Sequence, residues 1–413
     1  MNKLKGACLF GQSGGPTSVI NSSALGVFEA ALEEDCITAV YGCAHGIKGV
    51  LDDCLYDIGQ EDRKELSLLR YTPSSALGSC RYKLKDSRVD DTDYKRILEI
   101  FKKYNIRYFF YNGGNDSMDT CNKVSKYLLE QNYECRIIGV PKTIDNDLFG
   151  TDHCPGYGSA AKYIATSCTE IYQDANVYDT GTVVIVEIMG RNAGWLTAAA
   201  GLATLQNAGP DLIYLPEKAF DLEETLKQIK TIFETRGNCL VALSEGVKDQ
   251  NGTFLAEYGA ANAATDAFGH KQMGGAGVFL AGEVKNRFGY KTRSIELSLL
   301  QRCAAHCASK TDIEEAYLAG RTAVRLAVEG ETDKMMAFRR LEAPSYQMEV
   351  APVELSIVAN TEKTVPLEWI CEDNTGMTSE FTDYALPLIQ GETELPYENG
   401  MPRFARLKKI IVK

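Results

Sequence analysis

The sequence predicts an α/β protein of two doubly wound, Rossmann-like domains with mainly parallel sheets and an active-site cleft between them. Three observations carry that reading. Short apolar runs of buried-strand type alternate with helical stretches along most of the chain. Strands empty into Gly-Gly turns or into a carboxylate-rich loop, at the ends where open α/β sheets hold ligands. At 413 residues the chain also exceeds what one core usually holds.

Residues 7–10 read as the first strand, followed by Gly11-Gln12-Ser13-Gly14-Gly15-Pro16 and an alanine-rich helix over 22–32. Such a turn lets backbone amides approach an anion, and the helix start adds positive partial charge. It is neither GxGxxG nor a Walker loop. A strand at 40–42 leads to the loop of His45, which reads as a packed loop residue. Residues 75–85 are small and then basic; they form either a solvated charge run or a loop presenting Arg81 and Lys85 to phosphates. An amphipathic helix follows at 91–104, with Tyr94, Ile97, Leu98 and Phe101 on one face.

The strand at 107–111 feeds Asn112-Gly113-Gly114-Asn115-Asp116-Ser117, a second glycine turn before a helix. The strand at 136–140 ends at Pro141, which cannot extend a central ladder. Lys142, Thr143, Asp145 and Asp147 then crowd one loop. Paired carboxylates there suit a metal ion, or one of them suits proton abstraction from a hydroxyl. An Asp/Asn-rich turn that only caps the next helix is the plainer alternative for this loop alone.

In the second half, 182–188 is a buried-type strand ending at Met189-Gly190-Arg191, with a tightly packed helix over 192–200. Strands at 212–215 and 239–243 flank a helix at 222–233, and the latter delivers Ser244-Glu245-Gly246. Residues 274–277 read as a close-packing loop. From 331 onward no motif occurs; 350–355 and 364–368 read as proline-limited strands or linkers.

Composition excludes other classes. A net charge of -12 without a basic patch disfavours nucleic-acid binding, and no apolar run reaches membrane-spanning length. The 13 cysteines are scattered without CxxC pairs, which predicts reduced thiols and a cytoplasmic protein. A dinucleotide-binding dehydrogenase fails for want of GxGxxG.

Taken together, Gly14-Gly15-Pro16, Gly113-Gly114-Asn115-Asp116-Ser117, the run from Pro141 to Asp147, Gly156-Tyr157-Gly158, Met189-Gly190-Arg191, Ser244-Glu245-Gly246 and Gln301-Arg302 resemble, in order, the motifs of the phosphofructokinase family. The resemblance implies phosphoryl transfer to the 1-hydroxyl of fructose 6-phosphate, giving fructose 1,6-bisphosphate in glycolysis. It implies Asp145 as the proton acceptor, assisted by Thr143 and Asp147. It implies Met189, Gly190, Arg191, Glu245, Arg293, Leu299 and Arg302 on the sugar-phosphate side, partly across a subunit interface. The donor side takes Gly14, Gly15, Gly114, Ser117, Arg81 and Lys85. Magnesium is the implied cofactor, with Asn115, Asp116 and Asp147 near it, and a homodimer or homotetramer is the implied assembly. The expected division is 1–156 for the donor, 157–300 for the sugar, 301–345 as helices returning to the donor domain, and 346–413 as an extension of open role.

Asp116 and Lys142 bear on the donor. ATP-using relatives carry glycine at both places, whereas pyrophosphate-using relatives carry the acid and the lysine together. Two like charges ~5 Å apart at an effective dielectric of ~20 repel by about 3 kcal/mol, roughly a hundredfold in binding. Asp116 would therefore oppose a nucleotide's α-phosphate, and Lys142 would hold a bare diphosphate. The reading is a pyrophosphate-dependent enzyme. An ATP-dependent phosphofructokinase is the alternative, and a non-catalytic regulatory subunit of a sugar kinase the remoter one. Two departures stand out: Asn115 replaces an aspartate that usually helps bind magnesium, and Thr182 and Leu299 replace Arg and His of ATP-using bacterial relatives.

Overall fold

The computed structural model describes residues 3–177, 179–259, 275–358 and 361–412. In chain order its main strands are β1 (Gly6–Gln12), β2 (Ile37–Cys43), β3 (Leu55–Asp57), β4 (Ile106–Gly113), β5 (Arg136–Pro141), β6 (Thr182–Ile188), β7 (Leu212–Tyr214), β8 (Asn238–Ser244), β9 (Thr292–Glu296), β10 (Lys334–Arg340) and β11 (Met348–Glu354). One sheet runs β11-β10-β5-β4-β1-β2-β3, parallel except at its two edges. The other runs β7-β8-β6-β9 and is parallel throughout.

Strands covered on both faces need apolar residues at successive positions, and β1 is buried along its whole length. Its side chains alternate: Leu9 packs with Phe109 and the helix Thr92–Lys103, whereas Phe10 packs with Phe110 and the helix Ile20–Glu33. The amphipathic helix buries Tyr94, Ile97, Leu98 and Phe101, the face its periodicity predicts. Helices Ile20–Glu33 and Lys310–Glu329 lie against each other at glycines. A Cβ on Gly26 would come within 2.2 Å of the Tyr317 carbonyl oxygen, and one on Gly320 within 2.1 Å of that of Ser23. That contact seats the late helix on the first sheet.

Some boundaries differ from the sequence reading. The helix expected over 192–200 is only Trp195–Ala199, and it tightens into a 3-10 turn over Ala200–Gln206. Of the residues 274–277, Gly274 lies outside the described residues, while Gly275 and Gly277 donate N–H groups to the Glu187 carboxylate. The motif-free stretch supplies β11, an antiparallel edge strand that tolerates Pro352. Residues 364–368 form no strand, and the segment ends inside a 3-10 turn over Leu367–Trp369. No helix among the described residues is long and apolar enough to cross a membrane.

Candidate active site

The ends of β1, β4 and β5 open onto one cavity of about 260 Å³. At β1, buried Gln12 fixes the surrounding loops: its Nε2 donates to Asn21 Oδ1 (2.8 Å), and its Oε1 accepts from the Leu77 N–H (3.0 Å). Gly14 takes a left-handed φ of 76°, and its N–H bonds the Cys80 carbonyl at 3.1 Å. Arg81 and Tyr82 are thereby held over the glycine turn and line the cavity with Ser13, Gly14 and Gly15.

At β4, the turn into the helix Asn115–Glu130 is so tight that a Cβ on Gly113 would meet Ser117 Oγ at 1.9 Å. Gly114, Asn115, Asp116 and Ser117 all line the cavity. Asp116 is half exposed and meets Lys83 Nζ at 3.3 Å.

At β5, Pro141 is the last ladder residue, opposite Gly113. Lys142 is buried, with its ammonium donating to the Gly15 carbonyl oxygen at 2.5 Å. Thr143 Oγ1 accepts from the Asp145 N–H (3.0 Å), and Asn146 turns the chain with a left-handed φ of 55°. This turn lets Asp145 and Asp147, on either side of Asn146, both line the cavity. Asn115 Nδ2 donates to Asp147 Oδ2 at 3.2 Å.

The charges are poised by their surroundings. Burial, and then the charges of Asp147 and Glu245, push Asp145 up to about 7. Burial raises Asp147 as well. Burial lowers Lys142 to about 8, against the pull of Asp145 and Asp147. A carboxylate that ionises near neutrality beside an ammonium that discharges just above it is an acid–base arrangement.

From the second sheet, β6 and β8 deliver neighbouring loops. Gly190 N–H donates to Glu245 Oε1 (3.3 Å), Ser244 Oγ to the Gly190 carbonyl (2.7 Å), and Met189 N–H to Gln301 Oε1 (3.1 Å). Met189, Gly190, Arg191 and Glu245 are thus gathered at one place. Arg302 reaches the donor side: a Cβ on Gly15 would lie 3.0 Å from its Nη1. Burial, then the neighbouring Arg81, lower its pKa.

Three further expected site residues do not line this cavity of the chain. Lys85 is exposed and pairs with Asp90 at 3.0 Å, while Lys83 takes the position beside Asp116. Arg293, on the edge strand β9, lines a different cavity with Lys291 and Thr182. Leu299 is exposed on a 3-10 turn. The structure also adds residues the sequence reading missed. Glu362 and Lys83 carry no motif; Gln301 stands beside Arg302 in one, but its bond to the Met189 N–H has no local signal in the sequence.

A model of the family described as "Phosphofructokinase" matches residues 8–326. A Halomonas elongata protein named pyrophosphate–fructose 6-phosphate 1-phosphotransferase is 46% identical, covering 97% of this chain and 96% of its own. A sulfofructose kinase of Alkalicoccus urumqiensis is 34% identical over 88% of this chain and 91% of its own. The crystal structure of a pyrophosphate-dependent phosphofructokinase from Nitrosospira multiformis matches with a TM-score of 0.90 at 43% identity, covering 98% of both chains. On its fold, its motifs and these likenesses, the chain belongs to the phosphofructokinase family.

Proposed function

We propose that this protein transfers a phosphoryl group from pyrophosphate to the 1-hydroxyl of fructose 6-phosphate, giving fructose 1,6-bisphosphate and phosphate, reversibly and in the cytoplasm. The observation that carries the donor side is Lys142, a buried ammonium at the wall of a cavity lined by two glycine turns. A compact cation there matches a short, highly charged diphosphate and offsets charge on the departing phosphate. Asp145 takes the hydroxyl proton as the oxygen attacks the terminal phosphorus; the bond to the bridging oxygen breaks and orthophosphate leaves. Thr143 holds the Asp145 main chain. Arg191, Glu245 and Arg302 orient the sugar phosphate, with Met189 and Gly190 shaping its pocket.

The residues present fit magnesium. Among the described residues, Asn115 Oδ1 is buried without a hydrogen-bond partner, and Asp147 offers a carboxylate beside it. Hard oxygen donors few in number suit an ion whose other ligands are phosphates and water. When bound, magnesium supplies charge neutralisation on the diphosphate. Asp116, turned to Lys83, contributes through the wall of the cavity.

The pairing of Asp116 with Lys83 offsets part of the repulsion expected against a nucleotide, so donor choice rests more on Lys142 than on Asp116. The proposed division of labour is 1–156 for the donor and 157–300 for the sugar, with 301–345 returning to the donor sheet and 346–413 as an extension. The proposed assembly is a homo-oligomer, homodimer or homotetramer, in which outward-facing Arg293 and Leu299 serve a neighbouring subunit. The test is direct: fructose 6-phosphate, pyrophosphate and magnesium should yield fructose 1,6-bisphosphate and phosphate in equal amounts. No bisphosphate at micromolar enzyme would refute the reading.

A further inference from the structure

Lys363 lies beyond the stretch matched by the family model, yet it joins the loop of Asp147 to the helix that follows Arg191. Its N–H donates to the Asp147 carbonyl at 2.9 Å. Its ammonium donates to the main-chain oxygens of Asp152 (2.6 Å) and Thr151 (3.2 Å). Its own carbonyl accepts from Trp195 Nε1 at 2.9 Å, and its ammonium lies 5.1 Å from that indole ring. Trp195 opens the helix just after Met189-Gly190-Arg191. The preceding residue, Glu362, repeats the bridge: it lines the donor cavity while its Oε1 accepts from Asn192 Nδ2 at 3.1 Å.

We infer that Lys363 is a positioning residue for phosphoryl transfer, tying the loop of Asp147 to the loop of Arg191 and so setting donor against acceptor. The inference rests on the proposed function. A residue needed only for packing would be apolar, since a buried ammonium costs solvation that Met or Leu would not. Burial does lower the pKa of Lys363. The ammonium instead satisfies two carbonyls of the segment after Asp147. Tyr384 supports the same loop: its hydroxyl accepts from Asn146 Nδ2 (2.8 Å) and donates to the Asp152 carbonyl (2.8 Å). A shift of about 1 Å between reacting groups costs on the order of a hundredfold in rate, so a tether between two loops acts on turnover more than on either affinity.

The test uses full-length Lys363→Met, Lys363→Arg and Tyr384→Phe beside the wild type, with steady-state kinetics, circular dichroism and calorimetric binding of each substrate alone. In Lys363→Met, kcat should fall at least about tenfold. KM for pyrophosphate and for fructose 6-phosphate should stay within about twofold, as should the calorimetric affinities. Lys363→Arg, which keeps donors for the two carbonyls, should recover most of the rate. Tyr384→Phe should show the same split at smaller size, and it decides the matter if Lys363→Met does not fold. Unchanged kcat in folded Lys363→Met, or in Tyr384→Phe where Lys363→Met does not fold, overturns the inference. So does a loss of kcat that only tracks the unfolded fraction, or a failure of Lys363→Arg to recover. A wild type that turns over while the variants match it sinks the positioning role alone; an inert wild type sinks the functional reading and this inference with it.

Discussion

The ammonium of Lys142 rests on the carbonyl oxygen of Gly15, 2.5 Å away, and so joins the loop after β5 to the glycine turn after β1. A Cβ on Gly14 would lie 3.3 Å from the same nitrogen. The lysine is thus built into the floor where the two strand ends meet. Its position is set before any donor arrives, which is what stabilisation of a departing phosphate requires.

Lys142→Met keeps the length of the side chain and removes the charge. Its kcat/KM with pyrophosphate should fall by about 10²–10³, the size seen when one preorganised electrostatic contact is lost. Steady-state kinetics at saturating fructose 6-phosphate measure it. A loss under threefold would mean the ammonium does not meet the transferring phosphate.

The pH profile follows from the two perturbed groups. Asp145 must be ionised to accept a proton, and with its pKa raised to about 7 the rate should climb as pH passes through 7. Lys142 must be charged, and with its pKa lowered to about 8 the rate should drop as pH passes through 8. A narrow bell in kcat/KM is expected, and Lys142→Met should lose its alkaline limb.

Asp145→Ala should lose about 10²–10⁴ in turnover, the usual contribution of a positioned general base. Its melting temperature should hold or rise, because the change removes a carboxyl whose ionisation burial opposes beside Asp147. Thermal melts and product assays on one preparation check both halves.

Much of this site is legible in the sequence because its parts are local. Gly14, Gly113 and the run from Lys142 to Asp147 each follow a strand whose apolar run is plain, and parallel pairing brings those ends together. What escaped depends on directions and distant pairings. Lys83 and Lys85 flank buried Leu84, and nothing local tells which of the two turns to Asp116. Glu362 reaches the cavity, and Lys363 the loop of Asp147, only because the late chain returns past β5 through β10 and β11. Arg293, which the family resemblance puts on the sugar-phosphate side partly across a subunit interface, sits on the edge strand β9 and lines another cavity of this chain.

A second cluster predicts pH-dependent stability. Buried His153 bonds Asp152 Oδ1 (2.8 Å) and Glu315 Oε2 (2.7 Å), and Tyr346 donates to the other Glu315 oxygen at 2.6 Å. Burial opposes charging of the imidazole, but the Glu315 and Asp152 carboxylates outweigh it and raise its pKa. A raised folded value stabilises fully below the unfolded value of about 6.5 and is lost as pH rises through the folded one. The deficit of His153→Gln should therefore be largest near pH 6 and shrink on going alkaline. Glu315→Leu should cost about 3 kcal/mol at pH 6 by leaving a buried cation short of a partner. Urea melts across pH test both.

Activity turns most on which donor fits the cavity beside Lys142 and Asp116. The measurement is kcat/KM for phosphorylation of fructose 6-phosphate with magnesium pyrophosphate and with magnesium ATP, on wild type and on Asp116→Gly/Lys142→Gly. The wild type should prefer pyrophosphate by at least about a hundredfold, and the double variant should lose pyrophosphate use and begin to accept ATP. Equal or better use of ATP by the wild type would contradict it.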